Sequence, residues 1–203
     1  METRSEDTFT KERNKHPHAL VVGGTGMLRS ASLGLAARGY IVSVVARRRS
    51  RLDALVQGAA GLPGSIHPIA VDYRDTGALE KALADARSRF GPIELAVVWV
   101  HSVAPAAPLA VARLVGTPEH PGRFFHVLGS AAADPSRPDP QRQATFASFP
   151  NIRYREVILG FVVEGQRSRW LTHEEISAGV LAAVDADRPR FIVGTVEPWD
   201  LRP

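Results

Sequence analysis

The chain contains no cysteine among its 203 residues. Disulfides, thiolate metal centres and cysteine nucleophiles are therefore excluded. Lysine is nearly as scarce: it stands only at positions 11, 15 and 81, and arginine makes up the rest of the 25 basic residues. No apolar run approaches the roughly 20 residues of a membrane-spanning helix. The opening stretch, METRSEDTFTKERNKHPH, has no apolar segment of the kind a secretory signal needs. It reads as a disordered tail over residues 1–17 of a cytoplasmic protein. The histidines show no shared ligand spacing, so no metal is expected.

Hydrophobic residues make up 44% of the chain, enough for one folded domain over residues 18–203. A net charge of +4 raises the question of nucleic acid, but the arginines are scattered among 21 acids and no recognition motif accompanies them. The expected partner is a small-molecule substrate, with neither nucleic acid nor membrane; association with further copies of the chain is left open.

Strand and helix patterns alternate. HALVVGG, YIVSVVA, SIHPIAVD, IELAVVWV and RFFHVLG read as five buried strands, IRYREVILGFVV (residues 152–163) as a sixth and RFIVGT as a seventh. Between them lie helical segments: MLRSASLGLAARG ending at Gly39, SRLDALVQG, DTGALEKALADARSRFG capped by Asp75, a short APAAPLAVARLVG, and LTHEEISAGVLAAVDAD with Thr172 and Glu175 at capping-box spacing. Such alternation predicts an α/β fold, a doubly wound parallel sheet of the Rossmann kind in a single domain. Residues 131–151 break the rhythm with four prolines and predict an irregular loop, with a short helix near residues 141–149.

GGTGML lies where the first strand hands over to a helix. Gly23, Gly24 and Gly26 let the backbone turn tightly and approach a pyrophosphate, Thr25 adds a hydroxyl, and Met27 and Leu28 lead into a helix whose first N–H groups are free. The third glycine of the usual spacing is replaced by Arg29. Either the helix sits slightly off the sheet, or Arg29 turns outward or toward a phosphate. The second strand ends in Ala46 followed by Arg47, Arg48 and Arg49. An acid at this place binds the ribose hydroxyls of NAD, whereas a guanidinium suits the 2′-phosphate of NADP. NADP(H) is therefore the expected cofactor.

The stretch from His18 to Leu55 resembles the cofactor half of the short-chain dehydrogenase/reductase superfamily, in particular its NADP-preferring members. AVDYRD is similar to the family's adenine-contacting segment, which places Asp72, with Tyr73 beside it, at the cofactor. WVHSVAP, containing Val100, stands where the family has its Asn-Asn-Ala-Gly segment. FFHVLGSAA resembles the strand that ends in the family's active-site serine, and Ser130 is the matching residue. LGFVVEGQRSRW matches the segment that passes the nicotinamide and leads into the substrate lid, which implies Gly160, Phe161 and Val162 there; Trp170 is expected in the core, the alternative being the lid.

The chain departs from the family at its acid. The family's Tyr-x-x-x-Lys pair is missing, and no tyrosine or lysine stands between Ser130 and the sixth strand. Tyr154 falls early in that strand, whereas ligands meet a parallel sheet at its carboxyl ends, so it reads as structural. His101, whose imidazole can donate a proton, and Ser130 are the expected catalytic groups, with Ser102 as an assistant. The reading is an NADPH-dependent reductase of a small carbonyl or imine substrate. Its rival is a non-catalytic NADP-binding sensor or regulator.

Overall fold

All five residues of HALVV are buried, as a strand must be when helices cover both of its faces. This strand, β1 (His18–Val22), is an inner strand of the sheet in the computed structural model, which describes residues 16–134, 136, 139–165 and 167–203. The elements that follow are α1 (Arg29–Ala37), β2 (Ile41–Ala46), α2 (Arg49–Gly58), β3 (Ser65–Ala70), α3 (Thr76–Phe90), β4 (Ile93–Val98) and α4 (Ala107–Ala112). The second half comprises β5 (Gly122–Gly129), α5 (Pro140–Ala147), β6 (Ile152–Leu159), β7 (Phe161–Glu164), β8 (Arg167–Trp170), α6 (His173–Ala186) and β9 (Arg190–Val193). Single 3-10 turns occupy Ser130–Ala133 and Trp199–Leu201. The expected tail falls almost wholly outside the described residues. Of its last two, His16 contacts the carbonyl of Gly39 through Nδ1 at 2.9 Å, and the carbonyl of Pro17 accepts from the N–H of Ile41.

Seven strands form one parallel sheet in the order β3-β2-β1-β4-β5-β6-β9. The order reverses between β1 and β4, which opens a crevice at their carboxyl ends. The period of two along β1 divides the core. Ala19 and Val21 face α1, α2 and α6, meeting Leu35, Leu52, Leu55 and Val180. Leu20 and Val22 face α3, α4 and α5, meeting Leu79, Leu83, Val111 and Phe146. Each such side chain, once fully buried, contributes about 1.5–3 kcal/mol of transfer free energy. His18 is the polar member of β1. Its Nε2 lies 2.9 Å from Ser43 Oγ and its Nδ1 3.0 Å from the Gly91 carbonyl, and burial pushes its pKa down.

The helix boundaries follow local chemistry. Asp75 caps α3 by accepting from the Ala78 N–H at 2.9 Å. Thr172 and Glu175 form the reciprocal capping box that starts α6. Gly39 supplies the positive φ of 87° that ends α1 and turns the chain toward β2. In the proline-rich stretch, Asp139 caps the eight-residue α5, which begins at Pro140, one residue before the expected helix.

Two expectations are corrected. Residues 152–163 are not one strand: β6 stops at Leu159, and β7 leaves the sheet to pair antiparallel with β8. The cause is Gly160, where an added Cβ would lie 2.0 Å from the Thr195 carbonyl oxygen. The chain is crossed there by the segment after β9, and Phe161 bridges to Thr195 instead of extending β6. Trp170 is not in the core. It ends β8 at 46% exposure.

The sheet's two outer strands are unlike the rest. β3 contains Pro68, opposite Val44, and β9 is only four residues long. No helix among the described residues is long and apolar enough to cross a membrane.

Candidate active site

The carboxyl ends of β1, β2 and β4 surround a cavity of about 370 Å³ lined by Gly23, Thr25, Gly26, Met27, Arg47, Arg48, Arg51, Tyr73, Trp99, His101 and His173, with Val45 and Ala46 as its floor. Its glycines do three different jobs. Gly23 has φ 80°, and a Cβ there would lie 2.9 Å from the Trp99 carbonyl oxygen, so it allows the turn and the close passage of the chain after β4. Gly24 is packed. A Cβ would come within 2.7 Å of both Ser32 Oγ and Val44 Cγ1, so this glycine lets α1 approach the sheet. At Gly26 a Cβ would meet nothing within 4 Å, and the backbone faces open space. Thr25 and Met27 line the same cavity, whereas Leu28 is fully buried beneath α1.

The turn is held from two sides. Ser32 Oγ donates to the carbonyl of Leu28 at 3.0 Å, and Ser177 Oγ on α6 donates to the carbonyl of Met27 at 2.7 Å. The second bond brings the start of α6, and with it His173, to the cavity. Arg29 turns outward: it is exposed, and its Nη2 lies 3.3 Å from where a Cβ on Gly58 of α2 would stand.

The arginine cluster divides its work. Arg49 is taken by Asp53, Nε to Oδ1 2.9 Å, one turn along α2. Arg47, Arg48 and Arg51 line the cavity, and no described carboxylate lies within ion-pair distance of them. Tyr73 also lines it. Asp72 does not: Arg74 holds its carboxylate, Nε to Oδ2 2.9 Å, and that hydrogen bond keeps its pKa low, at about 2.

Beyond Trp99 the row of strand ends continues into two further cavities. One, of about 820 Å³, is lined by Val100, His101, Ser102, Leu109, Gly129 and Ala131 at its mouth and by His126 and Arg142 deeper in. His101 therefore borders both this cavity and the one at the glycine turn, with its ring edge-on to Trp99 at 5.6 Å between centroids. The other, of about 280 Å³, is lined by Ser130, Gly160, Leu159, Leu171, Trp170 and Arg202. Ser130 is buried, and its Oγ accepts a hydrogen bond from Arg202 Nε at 2.8 Å. His101 and Ser130 thus stand at carboxyl ends as expected but line different cavities, which meet at Gly129 and Ala131. Phe161 is fully buried, and Val162 lies in the hairpin.

Tyr154 lines none of the three cavities, but it lies directly behind His126 and Phe146, which line the one of about 820 Å³. It stacks on Phe146 at 4.5 Å and sits opposite Phe124 in the β5–β6 ladder. Its hydroxyl lies 3.0 Å from His126 Nδ1 and 3.5 Å from Glu156 Oε1, and Glu156 receives Arg142 Nε at 2.8 Å. Burial raises the Tyr154 pKa and lowers that of His126 to about 4, so both are neutral at pH 7. Among the described residues no group of three or more acids and histidines is placed to hold a metal.

Several lining residues escaped the sequence, among them Arg51, His173 and Arg202. Arg51 had a signal, since it stands one helical turn beyond Arg47 and Arg48. His173 and Arg202 had none, because only long-range folding brings them to the strand ends.

This arrangement, a glycine turn and basic cluster at the reversal of a doubly wound parallel sheet, defines a dinucleotide-binding fold. Residues 17–102 match the short chain dehydrogenase family. A short chain dehydrogenase of Pseudocercospora fijiensis is 33% identical over 92 residues, covering 45% of this chain and 29% of that protein. L-xylulose reductase of Mus musculus is 42% identical over 80 residues, covering 39% of this chain and 30% of that protein. The matched segment thus spans under a third of these relatives' length. Among solved structures, a short-chain type dehydrogenase/reductase from Mycobacterium marinum superposes with a TM-score of 0.69 at 17% identity, covering 90% of this chain and 95% of that one. A metagenomic short-chain oxidoreductase in complex with NADP gives 0.60 at 17% identity, covering 88% and 95%. Residues 17–102 are thus similar in sequence to the short chain dehydrogenase family, and the described residues as a whole share the fold of these solved structures.

Proposed function

We propose that the protein is an NADPH-dependent reductase of a small carbonyl or imine compound. The observation that carries this reading is the single cavity that joins the open backbone at Gly26 to Arg47, Arg48 and Arg51. The residues fit the group: a Cβ-free backbone suits a pyrophosphate, and guanidinium forks without carboxylate partners suit a 2′-phosphate. The metagenomic relative in complex with NADP supports the same cofactor. NADPH would be held by Gly23, Thr25, Gly26, Arg47 and Arg48, with Tyr73 along the wall, and when bound it supplies a hydride.

The chain supplies the rest. Ser130 presents its hydroxyl at the end of β5 beside Gly160, where it can donate to a carbonyl oxygen or an imine nitrogen. His101, between two cavities, is the side chain that can carry a proton toward the substrate. Tyr154 takes no part, because its hydroxyl is spent on His126 and Glu156.

The test is calorimetric titration with NADPH and NADH, followed by NADPH oxidation against ketones, enones, imines and quinones. Tighter binding of NADPH and turnover of at least one class are expected. Ser130→Ala and His101→Ala should each lower turnover by a factor of about 10² or more, and Ser130→Ala, outside the cofactor cavity, should leave NADPH affinity unchanged. Tight NADPH binding without turnover on any class would instead establish a binding protein, and equal affinity for the two cofactors would overturn the NADPH assignment.

A further inference from the structure

Arg202 is a cation that the described part of the molecule does not neutralise. Its Nε donates to Ser130 Oγ, and no described acceptor is within hydrogen-bond distance of its Nη1 or Nη2. The guanidinium lies over two indole rings, 5.3 Å from the centroid of Trp170 and 5.4 Å from that of Trp199. The backbone that carries it is fixed. Ser168 Oγ on β8 donates to the Leu201 carbonyl, and the Arg202 N–H donates to the Trp199 carbonyl at 3.1 Å. The crossing at Gly160 and the β7–β8 hairpin therefore lead to one result: a guanidinium is placed against the buried serine at the end of β5.

The surroundings select the ligand. The adjoining cavity of about 280 Å³ is walled by Leu159, Leu171, Ile176 and Trp170, and its charged side chain is Arg202. One guanidinium fork and one hydroxyl satisfy a planar two-oxygen anion, whereas a phosphate dianion calls for more donors than these walls provide. Because Ser130 Oγ accepts from Arg202, its own O–H is left to donate elsewhere, and no described acceptor takes it. The adjacent cation also polarises that O–H.

We propose that Arg202 is the carboxylate-binding residue of the substrate site, and that the substrate is a small oxo acid with an apolar tail. The guanidinium fork takes the carboxylate, the Ser130 hydroxyl faces the oxo group, and the aliphatic and indole walls take the tail. The assignment rests on the reductase reading for the identity of the oxo group, but the anion site stands on its own geometry.

The experiment is calorimetric titration of the full chain with phenylpyruvate and with its neutral counterpart phenylacetone, with NADPH titrated separately. The native protein should bind phenylpyruvate at least about tenfold more tightly than phenylacetone. Arg202→Gln should abolish that preference and leave NADPH affinity unchanged, and Arg202→Lys should retain part of it. Arg202 is exposed, so the variants should keep the native melting temperature. A preference for the carboxylate in a protein that fails to bind NADPH would uphold the anion site and sink the reductase reading. No preference in the native protein, or a preference that survives Arg202→Gln, would overturn the proposal.

Discussion

The row of strand ends carries two arginine-bearing mouths built on opposite terms. Beside β1 and β2 the donors are distributed: backbone at Gly26, a threonine, and Arg47, Arg48 and Arg51 on an exposed turn and helix. Beside β5 and β6 the cation is a single one, Arg202, placed over two indoles and against a buried serine. The charges at both mouths are exposed and screened by salt; at the second, two indole faces lie beside the cation. A distributed site keeps part of its charge when one member is lost, whereas a site with one cation loses all of it. The cavity of about 820 Å³ between the two mouths has a polar backing of its own: His126 and Arg142 line it and join Tyr154 and Glu156 in a connected, largely buried group.

The largest expected effect comes from breaking that backing. Glu156→Ala leaves Arg142 deprived of its buried partner, at a cost of about 3–5 kcal/mol. The lower end applies, since Asp139 still pairs with Arg142 at 3.1 Å. Chemical denaturation measures it. Acid probes the same group: His126 is neutral in the fold with a pKa of about 4 but titrates near 6.5 when unfolded. Its unfolded form binds the extra proton, so stability present above pH 6.5 is lost as pH falls toward 4, by up to about 3 kcal/mol. His126→Phe should flatten that part of the curve of melting temperature against pH.

At the first mouth, Arg47→Asp should weaken NADPH binding by a factor of about 10–100, the worth of a charge-assisted bond. Added salt should weaken the native protein in the same direction, and calorimetry at two salt concentrations tests both. Tyr154→Phe should cost only about 1–2 kcal/mol of stability, because a buried histidine nitrogen loses its partner. It should leave turnover alone; a collapse of turnover would make Tyr154 the acid. Deleting residues 1–15 should change neither melting temperature nor cofactor affinity, which scanning calorimetry and titration check together.

The first half of the sheet could be read from the sequence because its signals are local. GGTGML, the RRR cluster 21 residues beyond Gly26 and the cap at Asp75 each lie within a few residues of the structure they cause. The second half could not, because its decisive contacts are remote. Nothing near Gly160 in the sequence announces that Thr195 will cross it, and so β6 was expected to run four residues too far. Trp170 reads from the sequence as a core or lid residue because its large apolar face rewards burial, but the hairpin carries it outward to meet Arg202. Ser130 was legible as a strand-end hydroxyl; its partner, 72 residues away, was not. Even at the glycine turn, spacing alone did not separate Gly26, which faces the cavity, from Gly24, which faces α1.

Pro68 in β3 and the brevity of β9 bear on how the molecule meets its own copies. A parallel sheet ends in two rows of unpaired backbone groups, and such rows invite strand addition and uncontrolled growth. Here one row is interrupted by a residue with no N–H to offer, and the other extends for only four residues before the chain turns away at Gly194. The sheet is therefore a poor template at both margins, and a chain crowded during synthesis is protected from edge-to-edge aggregation.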